Sequence, residues 1–483
     1  MRKGLLLIGG RWRESLDSGS FDVIDPASGR SVGSVPDATD QDVGAAIDAA
    51  AVEFEHWRAV SAIERARLLR RSADLIRDRI ALVAEVMTAE QGKPLAEAVG
   101  EVEYAAGFFE WFAGEAERVY GQVVPPARAD KRTLVLRQPV GVIAAITPWN
   151  FPAAMLTRKL GPAIATGCTS VVKPAMATPL TAIEICRAIV DAGAPPGLVN
   201  LVTSTRSARV AEILMADSRV RKLSFTGSTE VGKELIRRSA DRVTRLSLEL
   251  GGHAPFIVFD DAEVDPALDQ LVASKFRNAG QTCICANRIY VQRGIYQEFL
   301  AGLARRVTAL SVGHGTAPGV QVGPLIDAHA VAKVERHVQD AVAHGARIAV
   351  GGNRVHDPEY PQGNFFAPTV LDGITTEMLI SREETFGPVA GLTVFDSESE
   401  AIRLANDTPY GLAAYFQTRD YARLFRMAEK LQFGIVGAND GAPSTPSAPF
   451  GGVKESGIGR EGGAFGIDEY LDVKYLSIGG VGV

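Results

Sequence analysis

From Asp40 to about Val119 apolar residues return every three or four positions, with one interruption at Gly92 to Pro94, and this spacing predicts a layer of amphipathic helices. The arginine-rich run from Arg65 to Arg79 belongs to that layer, because its leucines and isoleucines keep helical spacing and leave the arginines on the solvent face. Residues 1–40 break instead into short strands and turns, with turn chemistry at Asp25 to Arg30. After Val119 the pattern changes again. Pro125 and Pro126 exclude helix, and the segment Thr133 to Gln138 alternates like a strand that leaves the main body. The tail from Tyr470 to Ile478 alternates in the same way, and the two are expected to pair as an arm for subunit contact.

Between them, continuous apolar runs at Val142 to Thr147, Thr169 to Lys173, Leu198 to Val202, Lys222 to Phe225 and Leu246 to Leu250 are separated by helix-length segments. Strand and helix in alternation predict an α/β fold built on a parallel, doubly wound sheet. A second alternating region, from Phe256 to about Ala438, has strand candidates at Phe256 to Phe259, Ile289 to Val291, Leu392 to Phe395, Ala413 to Phe416 and Ile435 to Gly437. The expected organisation is a dinucleotide-binding domain from residues 1–120 and 140–251, a catalytic domain from 252–455, and a small β oligomerisation arm from 121–139 and 456–483. At 483 residues the chain is too long for one hydrophobic core, which agrees with more than one domain.

Charge and cysteine content narrow the function. A formal charge of −6 opposes binding to nucleic acid or to an anionic membrane, and no apolar run approaches the length of a spanning helix. Four cysteines, Cys168, Cys186, Cys283 and Cys285, are too few for a disulfide scaffold and point to the cytoplasm. Seven scattered histidines and no cysteine pair at zinc spacing give no reason to expect a metal site.

Ligands of doubly wound sheets lie beyond the carboxyl ends of the strands, which singles out Trp149, Asn150, Lys173, Gly227, Ser228 and Glu249. Asn150 stands on the proline-stiffened loop Thr147 to Pro152, a preorganised donor suited to an oxyanion. Glu249 ends a strand in L-E-L-G-G and is a general-base candidate. The stretch Gly227 to Lys233, G-S-T-E-V-G-K, opens a helix after a strand, so its free N–H groups suit a pyrophosphate; Glu234 in place of Ser or Thr spoils a nucleotide-triphosphate loop. The literal G-x-G-x-x-G at Gly457 to Gly462 follows a loop, not a buried strand, and reads as a structural turn. Cys283 lies between a helix-like run ending at Gly280 and the strand-like Asn287 to Val291, where a nucleophilic thiolate is reachable and near backbone N–H donors. Cys285, two residues on, would lie within disulfide range in an extended segment, making it a redox candidate.

Seven motifs in order, P-W-N-F-P, V-V-K-P-A, F-T-G-S-T-E-V-G, L-E-L-G-G, G-Q-T-C, E-E-T-F-G-P and P-F-G-G-V-K-E-S-G, resemble the aldehyde dehydrogenase superfamily over essentially the whole chain. The run Ser274 to Arg288 and the tail Gly459 to Tyr475 look like its succinate-semialdehyde dehydrogenase members. The resemblance implies that Cys283 attacks the aldehyde, Asn150 and the Cys283 N–H hold the oxyanion, Glu249 activates water and Lys159 relays protons. It further implies cofactor contacts at Trp149, Lys173, Gly227, Ser228, Glu384 and Phe386, and substrate contacts at Arg158, Arg277 and Ser444. Met176 stands where NAD-preferring members carry a glutamate, so NADP is tolerated and the choice between NADP and NAD stays open. Two guanidinium groups suit a small carboxylated aldehyde, which implies oxidation of succinate semialdehyde to succinate. Pro443 and Pro446 stiffen the Ser444 loop, so glutarate or 2-oxoglutarate semialdehyde, or a broader aldehyde range, remain alternatives. A homodimer or homotetramer is implied as well. A CoA-acylating enzyme is opposed by Glu249, and a non-catalytic binding protein by the joint presence of Cys283, Glu249, Asn150 and Lys173.

Overall fold

The computed structural model describes residues 2–481. The helical layer is Asp40–Trp57, Ala62–Asp78, Ile80–Gln91 and Leu95–Ala116. Its interruption has a local cause: Gly92 closes the third helix in the left-handed region at φ 92°, where glycine carries no Cβ penalty, and Pro94 precedes the fourth. Thr39 opens the layer with a reciprocal cap, accepting from Asp42 N while the Asp42 carboxylate accepts from Thr39 N. Glu90, buried on the third helix, accepts the backbone N–H groups of Leu180 and Thr181 at 2.8 Å each and so ties this layer to the start of helix Pro179–Asp191.

All five strands expected in the first half form, in the parallel order Arg245–Glu249, Val220–Thr226, Val142–Ile146, Thr169–Lys173, Val199–Leu201. Ala144 and Ala145 face different hydrophobic cores, the mark of a sheet covered on both sides. The chain reverses direction across the sheet between Val142–Ile146 and Val220–Thr226, so the crevice there is bordered by the loops carrying Asn150 and Gly227. Antiparallel strands extend both edges: Leu6–Ile8 and Arg11–Arg13 at one, Gly457–Ile458 at the other. That last strand corrects two expectations. Gly457 pairs with Glu249 and Ile458 with Leu248, so the glycine-rich segment opens as a sheet edge, and the arm begins at Leu471 instead of residue 456.

The second sheet runs Arg347–Val350, Thr369–Asp372, Val389–Phe395, Ala286–Gln292, Ala254–Val258, Ala413–Gln417, Ile435–Ala438. Its first two strands escaped the pattern reading for different reasons: Arg347–Val350 is an exposed antiparallel edge with no buried face to impose alternation, and Thr369–Asp372 is a four-residue buried strand, too short to show a period. Gln122–Val124, Lys131–Pro139 and Leu471–Gly479 make a separate antiparallel sheet in which Val473 faces Arg137 and Ser477 faces Thr133. Residues 482–483 of the expected arm lie outside the described residues. No described helix is long and apolar enough to cross a membrane.

Candidate active site

The helix leading to Cys283 is Val264–Phe276, and it ends earlier than Gly280 because Asn278 and Ala279 take positive φ of 51° and 54°. A tight turn follows, closed by the Cys285 N–H on the Thr282 carbonyl at 3.1 Å, before strand Ala286–Gln292 begins. Cys283 on this turn lines two cavities at once.

The first, about 280 Å³, lies at the carboxyl ends of the parallel strands and is lined by Trp149, Asn150, Gly227, Ser228, Glu384 and Phe386 among others. Ser228 caps helix Thr229–Ser239 by accepting from Val231 N, which leaves that helix's first N–H groups facing the crevice. The loop after Glu249 is tightest at Gly252, where a Cβ would overlap the Cys283 carbonyl oxygen. Glu384 accepts the Gly252 N–H at 3.0 Å, and burial pushes its carboxyl up to about 7. Phe386, at φ 54°, meets Trp149 edge to face at 5.5 Å. These residues fit a nicotinamide dinucleotide, with aromatic edges and a carboxylate at the inner end and a helix N-terminus for the phosphates. Lys173 ends its strand outside this cavity, 2.5 Å from Ser207 Oγ, with its ammonium brought down to about 8 by burial; Met176 beyond it is half exposed.

Asn150 is fixed from both ends. Its side-chain Nδ2 donates to the Gln281 carbonyl at 3.0 Å, and its own carbonyl accepts from Lys93 Nζ at 2.8 Å and Asn278 Nδ2 at 3.1 Å. Glu249 is buried with Oε2 unpartnered, and burial together with the nearby Glu461 carboxylate raises its carboxyl well above the usual range. Cys283 is pushed up to about 12, chiefly by burial, with Arg158 opposing. The resting pair is therefore a neutral thiol beside a carboxyl that is hard to ionise.

The second cavity, about 340 Å³, is lined by Glu97, Tyr104, Arg158, Arg277, Ser444 and Phe450 among others. Arg158 and Lys159 are consecutive on helix Ala154–Thr166, so they leave it about 100° apart and serve different places. Arg158 enters the cavity wall, with its Cζ 4.1 Å from the centre of the Phe450 ring. Lys159 turns toward the sheet, donating to Thr226 Oγ1 at 2.7 Å and to Glu461. Arg277 lies over Phe151 at 5.2 Å. The acids of the wall are already engaged: Glu101 pairs with Lys93, and Glu97 accepts the Asn278 N–H at 2.8 Å.

A model of the aldehyde dehydrogenase family matches residues 12–476. The chain belongs to the aldehyde dehydrogenase family. It is 52% identical to the NADP(+) succinate-semialdehyde dehydrogenase of Escherichia coli, over 98% of this chain and 97% of that one. It is 50% identical to a glutarate-semialdehyde dehydrogenase of Pseudomonas aeruginosa, over 98% and 97%. A crystal structure of an E. coli NADP-dependent enzyme superposes with a TM-score of 0.97 at 51% identity, covering 99% of this chain and 98% of that one.

Within this aldehyde dehydrogenase, the sequence reading passed over Glu461, Tyr104 and Glu97. Glu461 sits inside a glycine-rich segment whose local signal is turn chemistry alone, and Tyr104 and Glu97 lie on a helix whose pattern reports only burial. One expectation fails on geometry. The segment from Cys283 to Cys285 is a turn, not extended, and Cys285 is buried with its Sγ 3.3 Å from Lys275 Nζ, so the premise of a Cys283 to Cys285 bridge is not met. All four cysteines are free thiols.

Proposed function

We propose that this aldehyde dehydrogenase oxidises succinate semialdehyde to succinate with NADP or NAD, and the observation that carries the reading is Cys283 standing in the wall of both cavities. Once its thiol proton has passed to water in the cavity, the Cys283 thiolate can attack an aldehyde arriving from the Arg158 side while the resulting carbon faces the dinucleotide side. The bound nicotinamide supplies a hydride acceptor. Asn150 Nδ2, held by Gln281, and the Cys283 N–H stabilise the oxyanion of the thiohemiacetal. After oxidation the acyl group remains as a thioester on Cys283. Glu249 takes a proton from water at the thioester, and Lys159 with Glu461 carries charge away behind it.

Arg158 and Arg277 take the far carboxylate, with Ser444 beside them, and the identity to a succinate-semialdehyde dehydrogenase supports this choice. Glutarate semialdehyde is the second reading, favoured by the relative of that name at nearly the same identity. Trp149, Gly227, Ser228, Glu384 and Phe386 hold the nicotinamide half of the cofactor, with Lys173 and Met176 at its adenosine end. The proposal includes a homodimer or homotetramer formed through the three-stranded arm, in the cytoplasm, with no nucleic-acid or membrane partner.

The test is the initial rate of cofactor reduction with succinate semialdehyde, glutarate semialdehyde and butanal, each with NAD and NADP. Preference for the four-carbon semialdehyde over both others is expected. Preference for the five-carbon one transfers the function to the second reading, and equal rates with butanal remove the carboxylate clamp.

A further inference from the structure

We infer that Tyr104 is a positioning residue that sets substrate selectivity, joining Arg158 and Ser444 into one carboxylate-binding unit. The inference rests on the proposed function and adds a group to it.

Helix Leu95–Ala116 turns one face to the substrate cavity, on which Glu97, Glu101 and Tyr104 follow one another at helical spacing. The Tyr104 hydroxyl accepts from Arg158 Nη2 at 2.9 Å and lies 2.6 Å from Ser444 Oγ. Having accepted from a permanent cation, the phenol points its own proton elsewhere, and Ser444 Oγ is the partner within reach. Ser444 is thereby left with its hydroxyl proton to give. Arg158, Tyr104 and Ser444 then form a chain with a single sense of donation, polarised outward from the guanidinium, and its natural terminus is an anionic oxygen.

The rest of Arg158 points the same way. Its guanidinium is fully buried, yet Nε and Nη1 have no hydrogen-bond partner. The carboxylate that pairs with Nη1 among the described residues is Glu461, whose Oε2 lies 3.7 Å away and makes no hydrogen bond, while its Oε1 is held by Lys159. A pair at that distance compensates a buried guanidinium only in part, and a carboxylate entering the cavity that Arg158 lines would add to it. Without the Tyr104 hydroxyl a third nitrogen of Arg158 would lose its partner, and the Ser444 side chain would lose the contact that orients it. The Ser444 loop is already seated on the same helix through the Pro446 ring, whose Cγ lies 3.3 Å from where a Cβ on Gly107 would lie. The hydroxyl, not the loop, is thus the adjustable part. The ring packs edge to face on Phe108 at 4.9 Å, a contact that phenylalanine would keep.

Tyr104→Phe isolates the hydroxyl. The expected result is a roughly tenfold to hundredfold rise in KM for succinate semialdehyde, the range for losing a hydrogen bond to a charged group, with kcat within about twofold. KM and kcat for butanal should stay within about twofold, because a neutral aldehyde never engages the unit. Ser444→Ala should also raise KM for the semialdehyde alone, and adding it to Tyr104→Phe should cost much less than the sum, since one broken link already interrupts the chain. Ser444→Ala lies on a loop, so it tests the unit even if Tyr104→Phe folds poorly. Unchanged semialdehyde KM in Tyr104→Phe, an equal rise for butanal, or full additivity in the double variant would each overturn the inference. A wild-type enzyme that treats both aldehydes alike overturns the proposed substrate and this inference with it. A wild-type preference that Tyr104→Phe leaves intact overturns the inference alone.

Discussion

Cys283 illustrates how far residue identity alone reaches. Its place in G-Q-T-C underlies its proposed role as nucleophile, but its protonation follows from burial, which raises the thiol to about 12 and favours the neutral form. The same desolvation raises Glu249, and the sign of its effect on catalysis follows. A carboxyl with a raised pKa is protonated and useless as a base in acid, so turnover limited by thioester hydrolysis should keep climbing with pH above the usual carboxylate range. A kcat profile against pH checks this, and Glu249→Gln should flatten it. In that variant a first burst of one reduced cofactor per site should persist in rapid mixing while steady turnover falls by about a hundredfold or more. Absence of the burst would move Glu249 to an earlier step, deprotonation of Cys283. At the proposed adenosine end, Met176→Glu introduces a carboxylate that would repel a 2′-phosphate, and KM for NADP should rise about tenfold or more relative to NAD. An unchanged cofactor ratio would separate Met176 from cofactor choice.

Between elements, contacts distant in sequence bind the layers, and Glu90 is the clearest. It holds two N–H groups at the start of helix Pro179–Asp191, a helix whose own N-cap residue Thr178 makes no side-chain cap. Burial moves its carboxyl from 4.5 to about 8. A carboxyl raised in the folded state stabilises in full below the unfolded pKa, and that contribution is lost as pH rises through the folded value. The window is therefore about 4.5 to 8. Glu90→Gln keeps an acceptor and cannot ionise, so the wild-type advantage in melting temperature over this variant should shrink between pH 5 and 8.5. A constant difference would show that Glu90 does not titrate in that range. Nothing in the local pattern around Glu90 announces this role, because its partners lie 90 residues away.

For the whole molecule, the three-stranded arm is the part a single chain leaves unfinished. Val473 and Tyr475 on strand Leu471–Gly479 are 71% and 64% exposed, and Val123 on the opposite edge of the same sheet is 78% exposed. Apolar side chains on a thin sheet are stable only when covered, which suits a second subunit. Replacing Val473 and Tyr475 together by lysine should reduce the sedimenting mass to a smaller species. An unchanged mass would exclude the arm as the contact. The sequence by itself determined the helical layer, the five parallel strands and the motif residues. Each of these depends on local periodicity or on residue types that a particular chemistry requires at a fixed position. Only the tertiary structure decided that Gly457–Ile458 borders the first sheet, that Glu461 meets Lys159, that Cys285 turns into the core, and that Tyr104 joins Arg158 to Ser444. Cys285 is set by a local turn that residue pattern does not reveal, and the other three by contacts between segments far apart in the chain, where local pattern carries no information about which distant segment closes against which.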